Sequence, residues 1–290
     1  MVDSPLISIG MPVYNTESTI RAAIRSIQLQ TYPHWELIVI DDGSIDQTLE
    51  TIREIRDSRI RILCDGQHKS VPQRLNEAVR VSRGEYFARM DGDDISYPER
   101  LTQQLAYFSE HPEMDVVGAW VLVFGKAGTA LGKRAKTLGS VWRYRFMLET
   151  IPLAHPTFFG KTTWFKERGY PEWSTHFQDQ QLLYQSLASA HLGVVPQILL
   201  GYREEGLTIR KQFRYRLSYA RSFNSLRSSI GLPRTALALA AQAGKLAFET
   251  LAIATGLEYR LLRHRVQRVT TEEQRAWDDI WQAVNKRVTP

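Results

Sequence analysis

The length, composition and charge of the chain exclude several classes of protein. Its 290 residues, 43% of them hydrophobic and 23% charged, suffice for one large or two small domains with a sizeable core. A single cysteine, Cys64, excludes an internal disulfide framework and a cysteine-based zinc site, and is expected to be a small buried residue. The N-terminal segment has no basic region followed by a long apolar run, so we expect no secretory signal and a cytoplasmic location.

The net charge of +6 is unevenly distributed. The segment from Tyr202 to Pro290 has 16 Lys and Arg against 8 Asp and Glu, a net of +8, and the remaining residues carry −2. This asymmetry indicates either an anionic partner for the C-terminal third, a membrane surface or nucleic acid, or an Arg-rich helix face in solvent. No helix-turn-helix, zinc or aromatic-platform motif accompanies the basic residues, so we do not expect nucleic acid as a partner.

The first hundred residues alternate predicted strands with predicted helices. Apolar runs predict strands within residues 6–15, 35–44, 59–65 and 85–91. Helical spacing of apolar residues predicts helices within 16–31, 46–57 and 71–84, the last closed by Gly84 as its C-cap. This order predicts an α/β fold whose central sheet is mostly parallel and flanked by helices.

Polar residues follow three of these strands. The sequences are "PVYN" after the first, "DDGS" after the second and "DGDD" after the fourth. Ligands of parallel α/β sheets bind beyond the carboxyl ends of the strands. We therefore expect the three polar segments to line one crevice.

The rest of the chain is less regular. We expect a strand within 114–125, a loop or hairpin at 126–137, then a strand, a short helix and a turn within 154–172. A helix within 176–191 and a strand within 194–204 follow, and beyond Gln212 the chain is predicted to be wholly helical. The Ala/Leu-rich segment 235–257 has too short an uncharged run to span a bilayer. It is either an amphipathic helix packed on the body or an interfacial membrane helix, assisted by Arg260, Arg263, Arg265 and Arg268.

Three carboxylates crowd the end of the fourth strand. Asp91, Asp93 and Asp94 would repel one another unless a cation compensates them. Hard oxygen ligands suit Mg²⁺ or Mn²⁺, which also bind substrate phosphates. The segment therefore predicts a metal–diphosphate site, although a capped turn before the helix at Pro98 would use the same residues.

A second group of residues suits a nucleotide. The carboxylates of Asp41 and Asp42 close the second strand and could accept hydrogen bonds from a nucleobase or from ribose hydroxyls. Tyr14 closes the first strand and offers an aromatic face for stacking, although a partly buried core aromatic is the alternative.

With these residues in place, the chain resembles a family-2 glycosyltransferase with the GT-A fold. The resemblance covers roughly Leu6 to Arg210 and rests on several motifs in the expected order. They are "SIGMPVYNTEST", "WELIVIDDGSIDQT", "GEYFARMDGDDISYPERL", "HPTFFGK", "ERGYPE", "QDQQLLYQSL" and "YRE".

The resemblance implies a role for individual positions. Pro12, Tyr14 and Asp42 would hold the nucleotide, with uridine expected. Asp91 and Asp93 would form the Asp-x-Asp pair, Asp93 being the direct metal ligand. Asp179 would be the catalytic base, and Arg203 would contact the diphosphate.

Two positions depart from the family pattern. Gln178 precedes Asp179 where the family often has Glu, and Glu205 stands near the place of a family His. His155 matches another family His, for which packing, acceptor shaping and catalysis remain open.

The expected reaction is metal-dependent, inverting transfer from a nucleotide-diphospho-sugar to a hydroxyl of a glycan or lipid-linked acceptor in cell-surface polysaccharide biosynthesis. A nucleotidyltransferase is the alternative enzyme, but "MPVYNTEST" lacks its usual Gly-rich phosphate loop. A non-catalytic nucleotide-sugar-binding protein is the other alternative, and the acidic residues argue against it. We expect residues 1–210 to form the catalytic domain, its nucleotide-binding half about 1–100 and its acceptor half about 101–210. Residues 211–290 would form a helical basic region with peripheral contact to the inner face of the cell membrane.

Overall fold

The computed structural model describes residues 4–138, 153–174, 177–186, 189–204, 208–225, 227, 231–257 and 266–286. Of the residues named above, Glu205, Arg260, Arg263 and Arg265 lie outside this part of the chain.

The described strands form one sheet with helices around it. The strands are β1 (Ile7–Val13), β2 (Trp35–Asp41), β3 (Ile60–Cys64), β4 (Tyr86–Arg89), β5 (Ile95–Ser96), β6 (Val116–Phe124), β7 (Ala130–Arg134), β8 (Phe159–Lys161) and β9 (Leu192–Arg203). Their order is β3-β2-β1-β4-β8-β6-β9-β5, with β7 paired to β6. The pairings of β1 with β2 and β4, of β2 with β3 and of β6 with β9 are parallel. β5, β7 and β8 run against their neighbours, so the sheet is mixed although most strands share one direction.

The helices follow the predicted alternation in the first half. They are α1 (Ile20–Gln28), α2 (Thr48–Arg53), α3 (Val71–Val81), α4 (Arg100–Glu110), α5 (Thr162–Arg168), α6 (Gln178–Ser186), α7 (Ile209–Ser225), α8 (Leu232–Ala254) and α9 (Thr271–Asn285), with a 3₁₀ turn at His155–Thr157. Apolar side chains fill the core on both faces of the sheet. Ile9, Leu37 and Ala88 belong to one cluster, and Ile38, Phe87 and Phe165 belong to another.

Two local expectations from the sequence are wrong. Cys64 is exposed because it ends the edge strand β3, where its Sγ lies 3.7 Å from Oδ2 of Asp41. Gly84 does not cap α3, which ends at Val81. It instead packs against β1, where an added Cβ would lie 2.5 Å from the carbonyl oxygen of Leu6, so close backbone approach explains this glycine.

The C-terminal region is helical but not wholly so. Residues 266–270 are not helical, and Gln267 forms an antiparallel bridge with Lys133 of β7. α9 then packs on the sheet through Trp277, which is fully buried and donates its indole N–H to the carbonyl of Gly128 at 2.6 Å. An ion pair between Lys133 and Glu273 adds to this contact. The last described helix therefore belongs to the core of the α/β body.

Candidate active site

The three polar strand ends meet at one edge of the sheet, as predicted. β1 lies between β2 and β4, and the backbone N–H of Asp42 donates to the carbonyl of Val13 at 2.8 Å. The hydroxyl of Thr19 donates to the carbonyl of Gly92 at 3.0 Å. An added Cβ at Gly92 would lie 2.7 Å from the side chain of Val13, so a glycine lets the acidic segment cross the end of β1.

The acidic segment forms a compact cluster of carboxylates. Asp91, Asp93 and Asp94 each offer an oxygen within 4.8 Å of the others. Burial and the charge of Asp91 raise the pKa of Asp93 to about 6. Burial and the neighbouring carboxylates raise the pKa of Asp94 well above its usual range. The three carboxylates therefore repel one another when all are ionised, so the cluster favours binding of a cation or of protons.

The donor atoms of this cluster fit a hard divalent cation. Oδ1 of Asp94 accepts a hydrogen bond from the backbone N–H of Arg203 at 2.9 Å. Oδ2 of Asp94 is buried and has no hydrogen-bond partner among the described residues. A buried carboxylate oxygen without a partner is costly, and carboxylate oxygens are the ligands that Mg²⁺ and Mn²⁺ prefer.

The cluster also has a protein counter-charge that sequence reasoning missed. Arg89, the last residue of β4, is buried and forms a two-atom ion pair with Asp91, whose Oδ2 lies 2.6 Å from Nη1. The backbone carbonyl of Arg89 accepts a hydrogen bond from the fully buried Arg100 at 2.7 Å. The signal in the sequence was an arginine inside the otherwise apolar "YFARM", since a charge in a buried strand needs a partner.

Arg203 lies beside the acidic cluster. Its Nε donates to the backbone carbonyl of Asp93 at 2.8 Å, and its guanidinium carbon lies 4.7 Å from the ring centroid of Phe124. The ring of Trp281, from α9, lies 6.0 Å from the same carbon. The side chain is therefore held beside the acidic cluster, partly by a helix that the resemblance did not cover.

Asp179 lies in the first turn of α6 and shares the surroundings of Arg89. Burial raises the pKa of its carboxyl, and the positive charge of Arg89 opposes that rise. The same charge opposes the raised pKa of Asp93 and Asp94. Arg89 thus connects the predicted base electrostatically with the predicted metal ligands.

The predicted nucleotide residues lie at the ends of β1 and β2. Pro12 pairs in register with Ile40, and the exposed Tyr14 packs its ring 4.3 Å from that of His68. Asp42 is buried, and its Oδ1 accepts hydrogen bonds from Nε of Arg74 at 2.6 Å and from the backbone N–H of Lys69 at 2.8 Å.

Asp42 is thus already engaged by the protein. Nδ1 of His68 lies 3.1 Å from its other oxygen, Oδ2. Any contact of Asp42 with a nucleotide therefore uses the remaining lone pairs of Oδ2, beside the exposed Tyr14. His68 and Arg74, which hold this carboxylate, were not identified from the sequence.

His155 is packed in the interior. Its ring contacts Phe158 and Tyr170, and Nε2 lies 3.3 Å from the Tyr170 hydroxyl. Burial and the charge of Arg89 lower its pKa well below the usual range, so the imidazole is neutral. These contacts favour the packing role over the catalytic one.

Comparison with known proteins places these observations in one family. The model of "Glycosyl transferase family 2" matches residues 8–169, more than half of the chain. The putative glycosyltransferase EpsE of Bacillus subtilis is 34% identical over 174 residues, which cover 59% of this chain and 62% of EpsE. The UDP-Glc:alpha-D-GlcNAc-diphosphoundecaprenol beta-1,3-glucosyltransferase WfgD of Escherichia coli is 41% identical over 105 residues, 36% of this chain and 42% of WfgD. The chain thus spans less than two thirds of the length of either relative.

A solved structure extends the likeness to the whole fold. The mannosyltransferase PcManGT of Pyrobaculum calidifontis, in complex with GDP-Man and Mn²⁺, aligns with 99% of this chain and 89% of its own. The TM-score is 0.62 and the sequence identity 15%. The predicted GT-A fold with a helical C-terminal region is confirmed.

Proposed function

Because the chain belongs to glycosyl transferase family 2, we propose that it is a metal-dependent inverting glycosyltransferase. It moves a sugar from a nucleotide-diphospho-sugar to a hydroxyl of a glycan or lipid-linked acceptor. The observation that carries the proposal is the compact cluster of Asp91, Asp93 and Asp94, in which a buried oxygen of Asp94 has no hydrogen-bond partner among the described residues. A separate carboxyl, that of Asp179, lies in the first turn of α6. Direct displacement requires this division, one set for the leaving group and one for the nucleophile.

The acceptor hydroxyl is activated by Asp179. A hydroxyl is a weak nucleophile until a carboxylate removes its proton as the new bond forms. Burial raises the pKa of Asp179 and so makes its carboxylate a stronger base than an exposed aspartate. The proton is transferred to a carboxylate oxygen of Asp179, and a single displacement inverts the anomeric carbon.

The diphosphate leaving group is stabilised at the acidic cluster. Asp93 and Asp91 would hold Mn²⁺ or Mg²⁺, together with the buried free oxygen of Asp94. The bound cation would supply Lewis-acid stabilisation of the negative charge that develops on the diphosphate. Arg203 would contribute a second positive charge beside the cluster.

The nucleotide would bind between β1 and β2. The exposed face of Tyr14 would stack on the base, Oδ2 of Asp42 would accept from the base or the ribose, and Pro12 would shape the wall. We propose a UDP-sugar as the donor, in keeping with the UDP-Glc named for WfgD, whereas the structural neighbour PcManGT was solved with GDP-Man.

The proposed setting is the biosynthesis of a cell-surface polysaccharide in the cytoplasm, including the inner face of the cell membrane. The relative WfgD is named for a diphosphoundecaprenol acceptor, a lipid-linked saccharide, which supports this class of acceptor. Residues 1–210 would be the catalytic domain, with nucleotide-binding and acceptor halves that divide near residue 100. Residues 211–290 would contribute α9 to that domain and peripheral membrane contact through the preceding helices.

The proposal is tested with purified protein and a panel of UDP- and GDP-sugars. Release of nucleoside diphosphate is measured with Mn²⁺, with Mg²⁺ and with EDTA. We expect release from one donor class, dependent on a divalent cation, and thermal stabilisation by the same nucleotide. Full activity in EDTA, or no binding of any nucleotide-sugar, would contradict the proposed function.

A further inference from the structure

α8 has the reverse of the burial pattern expected of a helix in water. Thr235, Gln242 and Glu249, spaced seven residues apart, are only 3–5% exposed. Leu237, Phe248 and Leu251 on the opposite side are 61–63% exposed. A surface helix of a soluble protein normally buries its apolar stripe and exposes its polar one.

The buried polar stripe of α8 is explained by its pairing with α7. Arg216 of α7 forms an ion pair with Glu249, and its Nη1 donates to Oε1 of Gln242 at 2.6 Å. Arg216 thus holds two of the polar side chains of α8 inside the hairpin. The large apolar residues of α8 are therefore left on the outside of the hairpin, exposed to solvent.

The exposed side of α8 is predominantly apolar. Its exposed charges, Arg234 and Lys245, lie along one margin of that side, and the other exposed residues between Ala236 and Ala254 are apolar or small. They are Ala236, Leu237, Ala240, Ala243, Gly244, Ala247, Phe248, Leu251 and Ala254. The helix is also long and apolar enough to cross a membrane, with only 22% of its apolar window buried. An apolar surface of this kind marks an interaction site.

α7, the partner helix of α8, also exposes both apolar and basic side chains. Ile209, Phe213 and Leu217 are spaced four residues apart and are 40–53% exposed. Beside them on the helix lie three exposed arginines, Arg210, Arg214 and Arg221. From residue 208 to residue 248 the sequence has eight Lys and Arg and no Asp or Glu.

We propose that the hairpin of α7 and α8 docks on an anionic phospholipid bilayer. The apolar side of α8 enters the interface between headgroups and acyl chains, and the arginines of α7 contact the anionic headgroups. A symmetric dimer through the same surface would bring the basic segments of two copies together, which like-charge repulsion disfavours. Charge complementarity thus selects the bilayer over a second copy of the chain.

The hairpin lies along the surface and does not span the bilayer. α8 is tied to α7 by Arg216, and α7 carries further charged side chains along its length. Spanning would carry these charges into the hydrocarbon, which is costly. An interfacial position satisfies both the apolar and the basic side chains.

This placement deepens the proposed membrane setting but is independent of the transfer reaction. Ile209 follows Arg203 by six residues, so the start of α7 lies within about 20 Å of Arg203 along an extended chain. A docked hairpin would hold that end of the sheet near the membrane, where a lipid-linked acceptor resides.

The test is flotation of the full chain with vesicles, without any sugar donor. One set of vesicles is phosphatidylcholine alone and the other is an equal mixture with phosphatidylglycerol. We expect binding to the anionic vesicles, weak binding to the neutral ones, and a loss of at least about tenfold in about 0.5 M salt because the charges are screened.

Two triple variants and one control separate the contributions. L237Q/F248Q/L251Q should abolish binding with an unchanged Tm, since these side chains are exposed. R210Q/R214Q/R221Q should weaken binding to anionic vesicles by about 100-fold. The matched control is R53Q/R56Q/R80Q. It replaces exposed arginines of α2, of the loop after α2 and of α3, in that order, and should bind as the wild type does.

Several results would overturn the proposal. One is that the wild type does not bind vesicles, or that it binds neutral and anionic vesicles equally. Another is that the control R53Q/R56Q/R80Q loses as much binding as R210Q/R214Q/R221Q does, or that the α8 variant binds as the wild type does. Concentration-dependent dimerisation that the α8 variant abolishes, without vesicle binding, would assign the surface to a second copy. Vesicle binding without transferase activity would leave this inference standing and contradict only the proposed function.

Discussion

Arg89 and Asp91 form an ion pair at the end of β4, with Nη1 of the arginine 2.6 Å from Oδ2 of the aspartate. Arg89 is the last residue of β4 and Asp91 is the first carboxylate of the acidic cluster, and the arginine is buried while the aspartate is half-buried. The pair leaves Asp93 and Asp94 without an ion-pair partner among the described residues. One protein cation therefore pairs directly with one of the three carboxylates, and the other two favour a further cation or protons.

We expect R89M to destabilise the protein and to make it depend more on metal. Removing one partner of a buried pair leaves an uncompensated charge, at a cost of about 3 kcal/mol. Mn²⁺ should recover part of the lost stability, so the Tm increase on adding Mn²⁺ should be larger than in the wild type. The control is R21M, because the Arg21–Glu54 pair is exposed and contributes little.

The R89M prediction has two separable parts. An unchanged Tm would show that Arg89 is not needed to compensate the cluster. A lower Tm with a Mn²⁺ effect equal to that of the wild type would show that the cluster does not bind the ion.

Substitution of the predicted metal ligand should remove metal-dependent turnover. D93N leaves the size of the side chain unchanged but removes its charge, and it relieves repulsion from Asp91. We expect activity to fall by at least about 100-fold with a Tm equal to or above that of the wild type. D57N, at the ion pair with Arg59 outside the acidic cluster, is the control with normal metal dependence. Wild-type turnover by D93N in Mn²⁺ would exclude Asp93 as a ligand.

Substitution of the predicted base should separate chemistry from binding. We expect D179N to lower kcat by about 100-fold to 10,000-fold, the usual contribution of a general base, while donor affinity stays near that of the wild type. Donor affinity is measured by calorimetry and kcat by nucleoside diphosphate release in the presence of acceptor. An equal loss of affinity and rate would instead make Asp179 a structural or donor-binding residue.

The raised pKa of Asp179 predicts the acid limb of the pH–rate profile. The base acts only when deprotonated, so activity falls as the pH falls through its pKa. Because burial raises this pKa above the ordinary value of 3.8, the limb should lie at higher pH than for an exposed aspartate. Measurements at saturating Mn²⁺ keep the acidic cluster in its metal-bound form. An acid limb centred at or below pH 3.8 would assign the limb to a group other than Asp179. An unchanged acid limb in the residual activity of D179N would do the same.

How far the sequence predicts the fold depends on element length. β1 and β2 are long enough to show apolar runs and α3 is long enough to show a helical period, and all three were predicted within a few residues. β5 has two residues, too few to show a period, and was not predicted. A strand was expected within 154–172, where β8 lies, and a loop or hairpin at 126–137, where β7 lies. The antiparallel direction of these strands becomes visible only through their tertiary pairing.

In the candidate site, too, local features are visible in the sequence and features that depend on tertiary contacts are not. The Asp-Gly-Asp-Asp cluster is local, so its chemistry is visible in four consecutive letters. The role of Arg89 depends on its burial and on the neighbours that folding brings to it, and the sequence shows only an arginine in an apolar strand. The contribution of Trp281 was missed because it comes from α9, far along the chain from the acidic cluster.

Trp281 should act as a positioning residue for Arg203. The guanidinium carbon lies 4.7 Å from the ring centroid of Phe124 and 6.0 Å from that of Trp281, and the two rings are 5.5 Å apart. Trp281 is itself seated against Gly128, where an added Cβ would lie 2.2 Å from its ring and the backbone has φ of +78°. The orientation of Arg203 towards the acidic cluster thus depends on a residue of the C-terminal helix.

We expect W281A to raise the donor KM about fivefold with little change in kcat, since a cation–π contact contributes about 1 kcal/mol. W281F keeps an aromatic face and should restore most of the affinity, which a loss of packing alone would not predict. W173A, at a half-exposed tryptophan outside α9, is the control for removing a large ring. The double variant W281A/R203M should then show no further loss over R203M, which removes the cation, because the ring acts through the arginine. Additive losses in this cycle would mean that Trp281 contributes to the donor site by a route other than Arg203.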